Sequence, residues 1–333
     1  MRSTLTQTLA GIVAVAAVLA ASSCTAVPGN LLGAGGSALE TALAHVPAGQ
    51  GAEAELLFSD MAATRTLQEL PANEDPNPFS QLAGIGLGPL RAEAASSPGL
   101  VPAVGAEDAV ALSIGMPPQT SFRFTGMDEG AVVAAFGEGG ERSTVGEGEL
   151  VERRGAHELD PDDELGHAAS LGSLNTVWYH DDVLVGSSDP ATVRAWAQPE
   201  QTLAETGTYD ALASCLGPDA VSAYLTAEGA ADLPGGATGL AIATTGTSIE
   251  DWSEVLCVET GDEQEARDLA AAAEAQIADG TDPWTLEAWT EILGPAEVTT
   301  DGAMVRITST QRGGIFLDIH QKRSLPGLLG ASG

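Results

Sequence analysis

The stretch EVLCVETGDEQEARDLAAAAEAQIA, residues 254–278, decides the fold. Glu254 to Glu259 reads as a strand, and Asp262 with Glu265 has the spacing of a capping box at the start of a helix. Ala266, Leu269, Ala270, Ala273 and Ile277 fall on one stripe at helical intervals, so a helix over 263–278 is predicted with that stripe inward. Working outward, Val221–Thr226 and Gly239–Thr244 read as strands before it. Val298–Thr310 and Ile315–Ile319 read as closing strands after it.

The preceding part of the chain repeats this order. Ser37-Ala38-Leu39-Glu40 opens the body with capping-box spacing, and a short amphipathic helix runs to Pro47. Glu55–Ser59 reads as a strand and Asp60 can cap a helix over Met61–Leu70 that stops before Pro71. Residues 71–108 are rich in Pro, Gly, Asn and Ser and read as loop with one helical piece near Pro89–Ala95. Ala109–Ile114 and Ser121–Thr125 read as strands about the turn Gly115-Met116-Pro117-Pro118. Asp128–Phe136 reads as a helix with Val132, Val133 and Phe136 inward. After a Gly- and Glu-rich stretch from Gly137 to Glu149, strands recur at Thr176–Tyr179 and Val183–Gly186, and Asp189-Pro190 starts a helix through Trp196. The expected fold class is α+β: two related halves, 37–200 and 201–322, each an antiparallel sheet with helices packed on one face, and a flexible tail over 323–333.

The N-terminus carries an export signal. Arg2 precedes an apolar run from Leu9 to Ala21 and then small residues, the order of a secretory signal peptide over 1–23. The run is thirteen residues long, short of the roughly 20 that span hydrocarbon as a helix. Leu19-Ala20-Ala21-Ser22-Ser23-Cys24 resembles the bacterial lipobox, which implies diacylation of Cys24 as the new N-terminus and anchoring to membrane lipid. Ala21 departs from that pattern, where leucine is commonest. Ordinary cleavage would instead give a secreted protein. Residues 24–36, rich in Pro and Gly, read as a flexible tether.

Composition narrows the partners. The chain of 333 residues carries a net charge of −34 and one lysine, Lys322. Phosphate backbones need clustered Lys and Arg, so nucleic acid is not an expected partner. The three cysteines leave Cys215 and Cys257 once Cys24 is set aside, an even pair in an oxidising compartment. A disulfide is expected, closing a loop of about forty residues, with two buried free thiols as the alternative.

No motif assembles catalysis or a cofactor site. G-x-S-x-G and H-E-x-x-H are absent, and a P-loop cannot exist without its lysine. Gly84-Ile85-Gly86-Leu87-Gly88 lacks the preceding strand and later acidic residue of a dinucleotide loop and reads as a glycine cluster. The one candidate metal set is His157, Asp160 and His167, amid Glu158, Asp162, Asp163 and Glu164. Its spacing matches neither an EF-hand nor a zinc signature, and acidic runs in acidic proteins are usually solvated. His45 and His320 stand isolated, exposed or structural. Trp178, Tyr179, Trp196, Trp252, Trp284 and Trp289 are expected in the core.

The stretch from Val104 to Leu225 resembles uncharacterised exported lipoproteins of actinobacterial type. The likeness lies in Gly115-Met116-Pro117-Pro118 with Phe124-Thr125-Gly126-Met127-Asp128, in Val183-Leu184-Val185-Gly186-Ser187, and in Leu203-Ala204-Glu205 before Tyr209. That resemblance brings no activity or site residues. The expected function is a lipid-anchored extracytoplasmic lipoprotein, non-enzymatic, that binds a protein or small ligand without a cofactor. The alternatives are an extracellular enzyme, metal-dependent around His157 and His167, or a structural envelope scaffold.

Overall fold

The computed structural model of the chain describes residues 36–68, 85–90, 109–116, 119–136, 139–158, 172–248, 250–311 and 314–331. Cys24, the signal segment, most of the tether, Asp160 and His167 lie outside these. The N-terminal half runs α1 (Ala38–Leu43), β1 (Leu56–Asp60), α2 (Met61–Gln68), a 3-10 turn (Ile85–Leu90), β2 (Val110–Ile114), β3 (Ser121–Phe124), α3 (Glu129–Phe136), β4 (Glu141–Val145), β5 (Gly148–Glu152), β6 (Thr176–His180), β7 (Val183–Ser187) and α4 (Pro190–Ala197). Two short helices, α5 (Leu203–Thr206) and α6 (Asp210–Leu216), lead into β8 (Ala220–Thr226), a second 3-10 turn (Glu228–Asp232), β9 (Ala237–Thr245), β10 (Ser253–Thr260), α7 (Glu263–Asp279), α8 (Trp289–Leu293), β11 (Ala296–Asp301), β12 (Met304–Ser309), α9 (Ile315–Gln321) and α10 (Leu325–Leu328).

The fold is α+β, and the two expected sheets are one. The described strands form a 12-stranded sheet in the order β11-β12-β10-β9-β8-β1-β2-β3-β7-β6-β5-β4, antiparallel throughout. β1 and β8 pair at its centre, Leu57 opposite Tyr224. Outward from that pair each half lays down three strands in succession, then a helix, then a hairpin whose second strand returns to the third: β7 onto β3, and β12 onto β10. The N-terminal half adds one further hairpin, β4–β5, at its edge. β4 and the start of β5 fall in the Gly- and Glu-rich stretch that gave no strand signal, and β4 is exposed along nearly its whole length, so no alternation marks it.

Helices cover both faces of the sheet, not one. In β10, Val255 and Cys257 join one core with α1, α4, α5 and α6, while Leu256 and Val258 join another with α7, α8, α9 and α10. The strands demand this: all seven residues of β8 are buried, and apolar side chains on both pleats need cover. On the second face the N-terminal half has its own cluster, in which Val132 and Phe136 of α3 pack on Phe122, Phe124, Val177 and Leu184. Val133, expected inward, is exposed.

Two further expectations are corrected at the C-terminus. Ile315–Ile319 is helical, because Gly314 at φ +82° turns the chain and Phe316, Leu317 and Ile319 then bury together on one side. The expected flexible tail is packed: Leu325, Leu328 and Leu329 are each buried to 1% exposure or less, and burying three leucines offsets the cost of ordering the end. Local signals elsewhere act as read. Ser37 and Glu40 form a reciprocal capping box, and Asp262 caps α7 by accepting from Gln264 and Glu265 N–H. Glu265 itself reaches past the cap residue to Gly261 N–H.

Cys215 of α6 and Cys257 of β10 are joined by a disulfide with Cα atoms 6.3 Å apart. It fastens the helical layer of the first face to the C-terminal half of the sheet.

Candidate functional site

On the second face the helical cover is uneven. α9 and α10 flank the central strands from the C-terminal side. The N-terminal half places α2 and α3 on this face and α4, with Val193 and Trp196, on the other, and no residue of these three helices lines the gap beside α9. Between the two sides opens a cleft of about 880 Å³, in the range of sites for small ligands. It lies where the halves meet, over the paired Leu57 and Tyr224.

Four segments build its walls. Ala54 and Glu55 lead into β1, and Glu228 and Asp232 sit on the 3-10 turn after β8. Ile85 comes from the turn that closes on β1 and β2, and Leu317, His320 and Arg323 come from α9 and the residues just after it. The Ile85 turn approaches so closely that a Cβ on Gly86 would lie 2.1 Å from the Ala111 carbonyl oxygen, and Gly86 N–H donates to Ser59 Oγ at 2.9 Å. Only glycine fits there.

The polar groups divide into a neutral pair and an acidic set. His320 Nε2 lies 3.2 Å from Tyr224 Oη, with ring centroids 4.9 Å apart. Burial lowers the His320 pKa, so the imidazole is neutral at pH 7. Burial, and then the charge of Glu55, push the Tyr224 phenol up to about 12. The pair is therefore an uncharged donor–acceptor unit. Glu55 is half-buried, its pKa is raised by burial, and no hydrogen bond or ion pair to its carboxylate is found among the described residues. Glu228 and Asp232 are exposed at the rim, and Arg323, held at φ +58°, is the one cation in the lining.

Of the metal set read from the sequence only His157 is among the described residues, and it is not in the cleft lining, whereas His320 is. His157, at φ +59°, has its Nδ1 2.9 Å from Ser188 Oγ. Among the described residues no group of three or more His, Cys, Asp or Glu is placed to hold a metal ion. Trp178, Tyr179, Trp196 and Trp289 are buried as expected, but Trp284 is 69% exposed, and Leu286 beside it 76%. No described helix is long and apolar enough to cross a membrane.

Comparison with known protein families, with curated proteins and with solved structures found no match. Glu55, Tyr224 and His320 come from three distant parts of the chain, each unremarkable in its own sequence context. Only the pairing of β1 with β8 and the turn of α9 onto the second face bring them together.

Proposed function

We propose that this protein is an extracytoplasmic lipoprotein, anchored through diacylated Cys24, whose folded body binds a small ligand in the central cleft. The observation that carries the binding reading is the cleft: ligand-sized, placed at the junction of two related halves, walled by apolar side chains with a few convergent polar groups. The signal-like segment, the lipobox resemblance at Cys24 and the paired cysteines support the location. A tether rich in Pro and Gly would let the body stand off the membrane.

Ala54→Trp places an indole in the cleft wall, and Met116→Trp does so from an exposed rim position. In equilibrium dialysis against a small-molecule extract of the cell envelope, read by mass spectrometry, wild type should enrich a compound that both folded variants fail to enrich. Enrichment of nothing by wild type, or equal enrichment by the variants, would sink the cleft reading. The anchor is tested separately by intact mass: a diacylglyceryl mass on an N-terminal cysteine, lost in Cys24→Ala, supports it, and an unlipidated protein in the medium overturns it.

A further inference from the structure

We infer that the ligand of the central cleft is a cationic amine carried on an apolar body, with Glu55 as its charge partner. The inference rests on the cleft being a binding site and adds the chemical class of its occupant.

The floor of the cleft sets the body. Leu57 and Leu233, with the edges of Ile85 and Leu317, present apolar surface, so a ligand that buries there must bring matching apolar area. The charged groups set the head. Glu55, Glu228 and Asp232 face the cleft against the single Arg323, and Tyr224 and His320 contribute no charge. Three carboxylates against one exposed arginine repel an anionic ligand and attract a cationic one.

Glu55 is the decisive group among the three. Glu228 and Asp232 sit at an exposed rim, where solvent screens them. Glu55 is half-buried beside the aromatic pair and has lost part of its hydration without gaining a partner among the described residues. A carboxylate so placed is costly alone and gains most from an arriving ammonium, whose hydrogen bonds to it are charge-assisted. The neutral Tyr224–His320 pair supplies one donor and one acceptor beside it, enough to orient a head group without competing for its charge.

The bulk field of the acidic body also attracts cations, and the test separates this from a specific contact. Isothermal calorimetry at physiological ionic strength would compare 4-phenylbutylamine, 4-phenylbutanol and 4-phenylbutyrate, which share one apolar body and differ in head charge. The amine should bind at least about ten-fold tighter than the alcohol, and the acid weakest. Glu55→Gln changes the net charge of −34 by a single unit, so the bulk field is nearly untouched, yet the preference for the amine should fall to within about two-fold. An alcohol or acid binding as tightly as the amine would overturn the amine class while leaving the cleft reading intact. A preference that survives in Glu55→Gln would overturn the role of Glu55. Absence of binding by all three probes at millimolar concentration would overturn the inference, and the envelope-extract dialysis decides independently whether the cleft binds anything.

Discussion

The two halves of the sheet share an order of strands and part company at their last helix. After β7 the N-terminal half turns through Asp189 and Pro190 and sends α4 to the first face. After β12 the C-terminal half turns at Gly314 and sends α9 and α10 to the second. The first face is thereby covered by α1 and the α4–α6 segment that links the halves, and the second by α7–α10 on the C-terminal side and by α2 and α3 on the N-terminal side. The cleft opens beside α9, where neither α2 nor α3 contributes to the lining. The cleft at the junction of the halves thus arises with a difference between them, located in two short turns.

The difference extends to how each half is held. The largest effect is expected from the disulfide, which belongs to the C-terminal half alone. Replacing Cys215 and Cys257 by alanine frees a loop of 42 residues, worth about 4 kcal/mol on the chain-entropy account. Urea unfolding should show that loss. If the continuous sheet couples the halves, amide exchange in β2 and β3 should rise along with that in β9 and β10; a rise confined to the C-terminal strands would show that the halves open separately.

A smaller loss is built into the C-terminal half at Glu254. Its carboxylate is fully buried, accepts from Thr244 Oγ1 at 2.6 Å and from Gly314 N–H at the start of α9, and leaves Oε2 with no partner among the described residues. Burial outweighs these bonds and raises the pKa from 4.5 to about 7. Between those values the folded state holds a proton that the unfolded chain releases, so this group's contribution to stability falls as pH rises from about 4.5 to 7 and is level above that. The full difference is on the order of 3 kcal/mol. Every other acidic group is common to wild type and Glu254→Gln, so the difference between their stability–pH curves isolates this residue. The variant should lack that fall, and parallel curves would refute the assignment. Because Gly314 sets the turn that sends α9 to the second face, Glu254 ties this titration to the same step that makes the cleft.

The N-terminal half is sensitive at a different contact. Phe122 lies over Gly186 across β3 and β7, where a Cβ would sit 2.3 Å from Phe122 Cζ. In the C-terminal half the neighbouring β10 and β12 instead set Leu256 opposite Ile307, aliphatic against aliphatic. Gly186→Ala should cost about 1–3 kcal/mol by overpacking. Adding Phe122→Leu should recover part of it by making the pair resemble its C-terminal counterpart. A neutral Gly186→Ala in thermal melts would mean that the Phe122 ring can move aside.

Much of the strand order was legible because alternation and capping act locally: Asp262 caps α7, Asp189 caps α4, and Val183–Gly186 lies within β7. The cysteine pairing was legible because two cysteines leave one connectivity. The choice of face was not. It depends on what Gly314 and the Asp189-Pro190 turn do in three dimensions, and Ile315–Ile319 carries an apolar run that suits a strand as well as a helix. The cleft was illegible for the same reason, since Glu55, Tyr224 and His320 share no local pattern and meet only through the central β1–β8 pair. Trp284 was misplaced because composition assigns tryptophan to cores and says nothing of the loop that lifts it out.

That loop carries the smallest expected effect, and it sharpens the contrast between fold and surface within the C-terminal half. Asp282 is buried and accepts from Trp284 N–H at 2.9 Å, Thr285 Oγ1 at 3.2 Å and Ser324 Oγ at 2.8 Å, so one carboxylate fixes the turn. The turn holds Leu286 at φ +62°, a conformation that costs a leucine about 1 kcal/mol. Its side chain, 76% exposed, returns little packing for that cost. Leu286→Gly relieves the Cβ penalty and adds unfolded-chain entropy of similar size, so stability should move by less than about 0.5 kcal/mol. Leu286→Val keeps the penalty and worsens it with a branched Cβ, and should cost about 1 kcal/mol. Thermal melts of the pair read the backbone separately from the side chain: a large loss in Leu286→Gly would mean that the exposed leucine packs against something the folded body supplies. The expected near-neutrality means that the body holds the turn in place through Asp282 and draws little stability from the Leu286 side chain.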